Sequence, residues 1–493
     1  MDHGTRSRLA VPVARPIDLD ETDLAAVQDA ERCLRDSRTV TLFPDPREEV
    51  NGFWHPESAT EKPPLHSADL EYNGVHPVNK KWLAGSVLIA MVIAAGMNSR
   101  VLGRAAAAQG SNVGKVPTFE VDTTFPKLPN NWVLGNVSKV AVDRHDNVWI
   151  IHRPRSVPAD KKSAPALVEL DAAGTFIQAW GLPLPGYENW PDAEHNVFVD
   201  HRDNVWISGS SPSGQSQTTR SDDMLLKFTN KGKFLLEIGG RSVSLGSTDP
   251  KSVNKPGDIF VSPRTNEIYV ADGYGNRRLI VFDADTGAFK RMWGAFGKPP
   301  VDDAGSGGRG GAGGPLPATG GAAEGRGRGL APVLDTEGPG APTFASPVHS
   351  VLVSNDDIVY VGDRSNRRVQ LFTPDGTYLR QMFVNRAGPA SGSVSGLAFS
   401  PDKDQQFLYM ADYGNSHVVV VDRKKLEVLY QFGKRGTAPG DFQGVHHLAV
   451  DSIGNLYAAE VAPGARVQRF IFKGMSSTLP PNALTAAQLS ARP

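Results

Sequence analysis

Between residues 118 and 473 apolar and polar positions alternate in short runs, and the runs recur. Six times an apolar run ending in Asp or Ser is followed by a turn and a second apolar run, with the period of two that marks strands. The copies are Lys139-Val-Ala-Val-Asp143 with Asn147-Val-Trp-Ile-Ile151, Asn196-Val-Phe-Val-Asp200 with Asn204-Val-Trp-Ile207, and Asp258-Ile-Phe-Val-Ser262 with Glu267-Ile-Tyr-Val-Ala-Asp272. They continue as Ser350-Val-Leu-Val-Ser354 with Ile358-Val-Tyr-Val-Gly-Asp363, Gly396-Leu-Ala-Phe-Ser400 with Phe407-Leu-Tyr-Met-Ala-Asp412, and His447-Leu-Ala-Val-Asp451 with Asn455-Leu-Tyr-Ala-Ala-Glu460. Most pairs are followed by two more strands, as in Arg278-Leu-Ile-Val-Phe282 and Phe289-Lys-Arg-Met-Trp293. Four short strands in a repeat of about 40 to 50 residues predict one blade of a β-propeller. The last repeat has a third strand, Val467-Gln-Arg-Phe-Ile-Phe472, and no fourth before a Ser/Pro/Ala tail over 476–493. Thr118-Phe-Glu-Val-Asp122 supplies the missing strand. The expected fold is therefore all-β, a six-bladed propeller over residues 109–475 whose closing blade is completed from the N-terminal side.

Outside the repeats the pattern changes. Residues 1–78 mix charge and proline without periodicity and are expected to be disordered or to lie upstream of the true start, near Val75 or Val78. Asn79-Lys80-Lys81, an uncharged run from Trp82 to Met97 and the small residues up to Ala108-Gln109 have the shape of a secretory signal peptide. The run is shorter than the roughly 20 residues of a spanning helix, so the segment 79–108 is either cleaved on export or kept as an anchor. Export to the periplasm or the extracellular space is the expected localisation. Residues 298–342, between the third and fourth blades, are Gly, Pro and Ala rich and read as an inserted linker or as a lid over the channel mouth.

Composition narrows the chemistry. There are 52 basic and 53 acidic residues among 493, a formal net charge of -1, so no global field favours nucleic acid or an acidic membrane surface. The single cysteine, Cys33, excludes intrachain disulfides and cysteine metal clusters. Twelve histidines remain as ligands.

Their placement is the informative feature. When the six first strands are aligned on their terminal Asp or Ser, the residue five positions earlier reads Ser138, His195, Gly257, His349, Ser395, His446. First strands surround the axis of a propeller, so histidines on blades two, four and six converge about 120° apart, with small residues between them. Three imidazoles with an open fourth position suit a catalytic zinc. Arg153, in Ile151-His-Arg-Pro154, and Tyr274, in Asp272-Gly-Tyr-Gly-Asn276, end second strands at the same mouth, with Arg364 and Tyr413 in equivalent turns. A cation beside a phenol lowers its pKa from about 10 and makes it a candidate general base. Asp272, Asp363, Asp412 and Glu460 are expected to bind backbone amides of their own turns.

The runs Ile268-Tyr-Val-Ala-Asp-Gly-Tyr-Gly-Asn-Arg-Arg278 and Val359-Tyr-Val-Gly-Asp-Arg-Ser-Asn-Arg-Arg368 resemble NHL repeats. The stretch from Lys255-Pro-Gly-Asp-Ile259 to Trp293-Gly294, followed by Ser346-Pro-Val-His-Ser350, is similar to the peptidyl-α-hydroxyglycine α-amidating lyase (peptidylamidoglycolate lyase) family. The resemblance spans residues 118–473. It implies a zinc ion on His195, His349 and His446, a catalytic Tyr274 and an active-site Arg153. The implied reaction cleaves the C–N bond of a C-terminal α-hydroxyglycine, giving an amide and glyoxylate. The substrate is then a peptide or small molecule ending in α-hydroxyglycine, and a monomer is expected. Family members also hold a structural calcium with an aspartate just after the sixth-blade histidine, where this chain has His447, which puts calcium in doubt. Two other readings stay open from the residues: another metal-dependent hydrolase or lyase on the same histidines, and a non-catalytic propeller binding protein or glycan through its channel face.

Overall fold

The computed structural model describes residues 114–181, 189–212, 219–302, 338–389, 391–481 and 483–484. The segments expected to be disordered (1–78) and to direct export (79–108), most of the 298–342 insertion and the end of the tail lie outside these residues. No helix among the described residues is long and apolar enough to cross a membrane.

Six four-stranded antiparallel sheets form the six blades. The innermost strands are Asn136–Val142, Glu194–Val199, Asp258–Val261, Val348–Val353, Val394–Phe399 and Val445–Val450. Each packs on the inner strand of the next blade, and the last packs on the first, so the ring closes. The sixth sheet runs Val116–Asp122, Arg466–Ser476, Leu456–Glu460, Val445–Val450. Val116 lies opposite Ser476 and Asp122 opposite Arg469, which is the closure expected from the sequence. Past Ser476 the chain turns back, and Leu484 exchanges backbone hydrogen bonds with Gln431 on the outer strand of blade five.

The second strands are buried on both faces rather than on alternate positions, and the cause is structural. Each blade shows apolar side chains to both neighbours, and the buried residues fall into six clusters, one at each blade interface. Such layers exclude water only when both neighbours are present. The turn after each first strand is set by its terminal residue. Asp143 Oδ1 accepts the N–H groups of His145 and Asn147, while Oδ2 accepts Trp149 Nε1–H at 3.0 Å. Asp200 and Trp206 repeat this arrangement, and Asp451 does so with Tyr457.

The second-strand acids act differently from the expectation. Asp272, Asp363 and Glu460 accept the backbone N–H groups of Asn254, Ala345 and Gln443, which belong to the loops entering their blades; Asp412 alone of the four accepts a backbone N–H from its own turn, at Asn415. Asp272 and Asp363 also pair with the fully buried Arg278 and Arg368. In blade three the turn amides of Tyr274 and Gly275 donate instead to the carbonyls of Lys255 and Asn254 in the entering loop.

Candidate metal centre

Five of the six positions of the histidine column share a backbone device. In five blades the register between the first and second strands slips at that residue: around Ser138, His195, His349, Ser395 and His446. A bulge leaves one residue unpaired and re-aims its side chain. In blade three the strand starts one residue later, at Asp258, with Gly257 just outside it. The glycine positions make room. A Cβ on Gly257 would lie 2.8 Å from His349 Cα, and one on Gly396 would lie 2.6 Å from His447 Cα.

The bulges bring His195, His349 and His446 together. One ligand nitrogen from each lies within 4.8 Å of the others, and all three residues are buried. His349 Nδ1–H donates to the Ser395 carbonyl at 2.5 Å, and His446 Nδ1–H donates to the Ser138 carbonyl at 2.7 Å. The two serines in the column thus orient two histidines through their backbones, the arrangement that fixes tautomer and ring direction in metal sites. His195 Nδ1 is buried with no partner among the described residues. Burial, reinforced by the neighbouring imidazoles, holds His195 and His349 well below the usual histidine range. Neutral imidazoles are the form that binds a metal. The donor set fits a borderline transition metal such as zinc with an open coordination position.

Tyr274 reaches this centre. Its hydroxyl lies 3.2 Å from His195 Nε2 and 2.9 Å from His349 Nε2. Arg153 is buried, with Nε–H donating to the Glu194 carbonyl at 3.0 Å and one terminal nitrogen donating to Ser210 Oγ at 3.1 Å. This places a fixed positive charge from blade one against the strand that carries His195 and within electrostatic reach of its ring. Burial pushes the Glu194 carboxyl up to about 7, with Trp190 Nε1–H donating to it. Across the mouth the Arg364 guanidinium sits 4.1 Å from the Tyr413 ring centre, and Tyr413 lies 6.3 Å from the His446 ring.

Two contacts were not read from the sequence, where His447 stood only as the residue replacing an aspartate. His447 brings a fourth ring to the centre, stacked on His349 at 5.0 Å and 4.9 Å from His446. Burial, with His446 and Lys139 nearby, holds it well below the usual histidine range. Lys139 and Asp258 form a buried ion pair between blades one and three. The signal was present one position along: the next column reads Lys139, Asn196, Asp258, Ser350, Gly396, His447.

Fold and site together define a six-bladed β-propeller with a three-histidine centre on its channel. Its homologues are distant. The chain is 24% identical to human NHL repeat-containing protein 3 over 365 residues, covering 72% of this chain and 84% of that protein. It is 24% identical to peptidyl-α-hydroxyglycine α-amidating lyase 1 of Drosophila melanogaster over 404 residues, covering 75% of this chain and 62% of that protein. The probable peptidyl-α-hydroxyglycine α-amidating lyase pgal-1 of Caenorhabditis elegans is 23% identical, with 55% and 61% covered. No family model matches the chain. Among solved structures, a streptogramin B lyase aligns with a TM-score of 0.41 at 11% identity, over 72% of this chain and 98% of that one.

Proposed function

We propose that this protein is an exported zinc-dependent carbon–nitrogen lyase that converts an α-hydroxyglycine (amidoglycolate) group into an amide and glyoxylate. The observation that carries this reading is the Tyr274 hydroxyl within hydrogen-bond distance of two Nε2 atoms of a buried three-histidine set. The distant homology to amidating lyases supports the same class.

The substrate carbon bears a hydroxyl, an amide nitrogen and a carboxylate. His195, His349 and His446 would hold the metal, which would supply Lewis acidity to a substrate oxygen. Tyr274, as phenolate, takes the hydroxyl proton. The C–O electrons form the aldehyde of glyoxylate, the C–N bond breaks, and its electron pair remains on nitrogen. Return of the proton from Tyr274 to that nitrogen gives the neutral amide, so atoms and charge balance. Arg153 either holds Tyr274 in its anionic form or pairs with the substrate carboxylate. Burial of Arg153 and of the three histidines strengthens each charge interaction they make relative to water.

The test is glyoxylate release from a peptide ending in α-hydroxyglycine by the zinc-loaded protein. Stoichiometric glyoxylate and peptide amide support the reading; failure of a zinc-replete protein to release glyoxylate removes it. A second reading, a non-catalytic propeller that binds a partner through its channel face, is favoured by the 84% coverage of NHL repeat-containing protein 3, a relative named for its repeats.

A further inference from the structure

The layer beneath the histidine centre contains a cation already. Lys139 on blade one and Asp258 on blade three form their ion pair with side chains only 8% and 5% exposed. The second Asp258 oxygen accepts the Val351 N–H at 3.1 Å, and Oδ1 also accepts the Ile259 N–H at 2.8 Å. Val351 is two residues past His349 on the same strand. Lys139 directly follows Ser138, whose carbonyl orients His446. The pair therefore ties the strand of one metal ligand to the backbone group that aims another.

At this level the family resemblance implies a calcium ion with an aspartate after the sixth-blade histidine. The residues here do not fit one. His447 replaces the carboxylate, and its Nε2 is buried with no partner among the described residues. Calcium takes six to eight oxygen ligands, yet the carboxylate found here, Asp258, is committed to an ammonium and two N–H groups. A divalent ion beside the Lys139 ammonium would also meet like charge in a buried, weakly screened setting. We propose that the Lys139 ammonium, clamped by Asp258, takes the place of a channel calcium and is a positioning residue for the histidine centre. Being covalently attached, this cation is not lost to dilution.

Two measurements on the full chain test this. First, zinc-loaded protein is dialysed against calcium, desalted and analysed for bound elements, and its melting temperature is compared with and without calcium. The expected result is no retained calcium and no change in melting temperature; about one calcium per chain, or a melting temperature raised by calcium, overturns the proposal. Second, zinc retention by Lys139→Met and Lys139→Arg is measured by competition with a chromogenic chelator. Retention is expected to weaken at least tenfold in Lys139→Met, in the range found for outer-shell metal partners, and to recover in Lys139→Arg. Unchanged retention in Lys139→Met removes the positioning role. The calcium arm needs no folded variant and does not rest on the lyase reading, so a protein that binds zinc without releasing glyoxylate leaves this proposal standing.

Discussion

Tyr274 is the residue on which the proposed chemistry turns. Tyr274→Phe removes the hydroxyl while keeping the ring, so turnover is expected to fall by two or more orders of magnitude, the scale of a lost general base. Zinc content should stay unchanged; a variant that keeps full turnover takes Tyr274 out of the mechanism. His152, the residue before Arg153, gives a prediction about stability. The Gly135 N–H donates to its Nδ1 at 3.1 Å, and Nε2 lies 2.9 Å from the Pro165 carbonyl, so the ring is held neutral. Burial pushes it down to about 4. A folded-state pKa below the unfolded value of about 6.5 gives stability that is complete above pH 6.5 and lost as pH falls toward 4. That loss is about 3 kcal/mol for this one group. The stability difference between the wild type and His152→Gln, read from urea midpoints, is expected to narrow over this interval; a constant difference would show that the ring does not titrate below its unfolded value. Both residues were legible as members of turns at the channel mouth. The protonation state of His152 was not, because it depends on a backbone N–H from residue 135.

At the scale of elements, the apolar runs and the terminal Asp or Ser were readable because each reflects a local requirement: successive side chains facing the two neighbouring blades, and a side-chain acceptor for a tight turn. The histidine column was readable for the same reason, since every copy aligns on that acceptor. The bulges were not, because register slip arises from pairing between strands. The next column, with Lys139, Asp258 and His447, went unread for lack of regular spacing. Gly396→Ala tests the bulge directly. Its Cβ would press on the backbone of His446 and His447, with the His446 carbonyl at 2.8 Å. Weaker zinc retention and a lower melting temperature are expected; a variant matching the wild type in both would mean the neighbouring strand yields freely.

At the scale of the whole molecule, the propeller depends on closure. Residues Val116–Asp122 cover the outer edge of the strand Arg466–Ser476, and Phe119 packs on Tyr409, Phe432 and Phe472. Deleting the chain through Asp122 leaves blade six with three strands and an exposed edge, a known route to aggregation. Such a truncation is expected to melt well below the intact chain and to aggregate, by scattering during thermal unfolding; an unchanged melting temperature would show that three strands suffice. This closure was readable because the last repeat lacks a fourth strand and an unused strand precedes the first. The ring also explains the site, since three bulges on alternate blades have no common focus until all six sheets are in place.

The central claim is that His195, His349 and His446 hold one metal ion. Its most direct test is elemental analysis of purified, zinc-replete protein beside a variant with all three histidines changed to alanine. The account predicts about one zinc per chain in the wild type and none in the variant. A wild type without metal, or a variant that keeps it, would contradict the account.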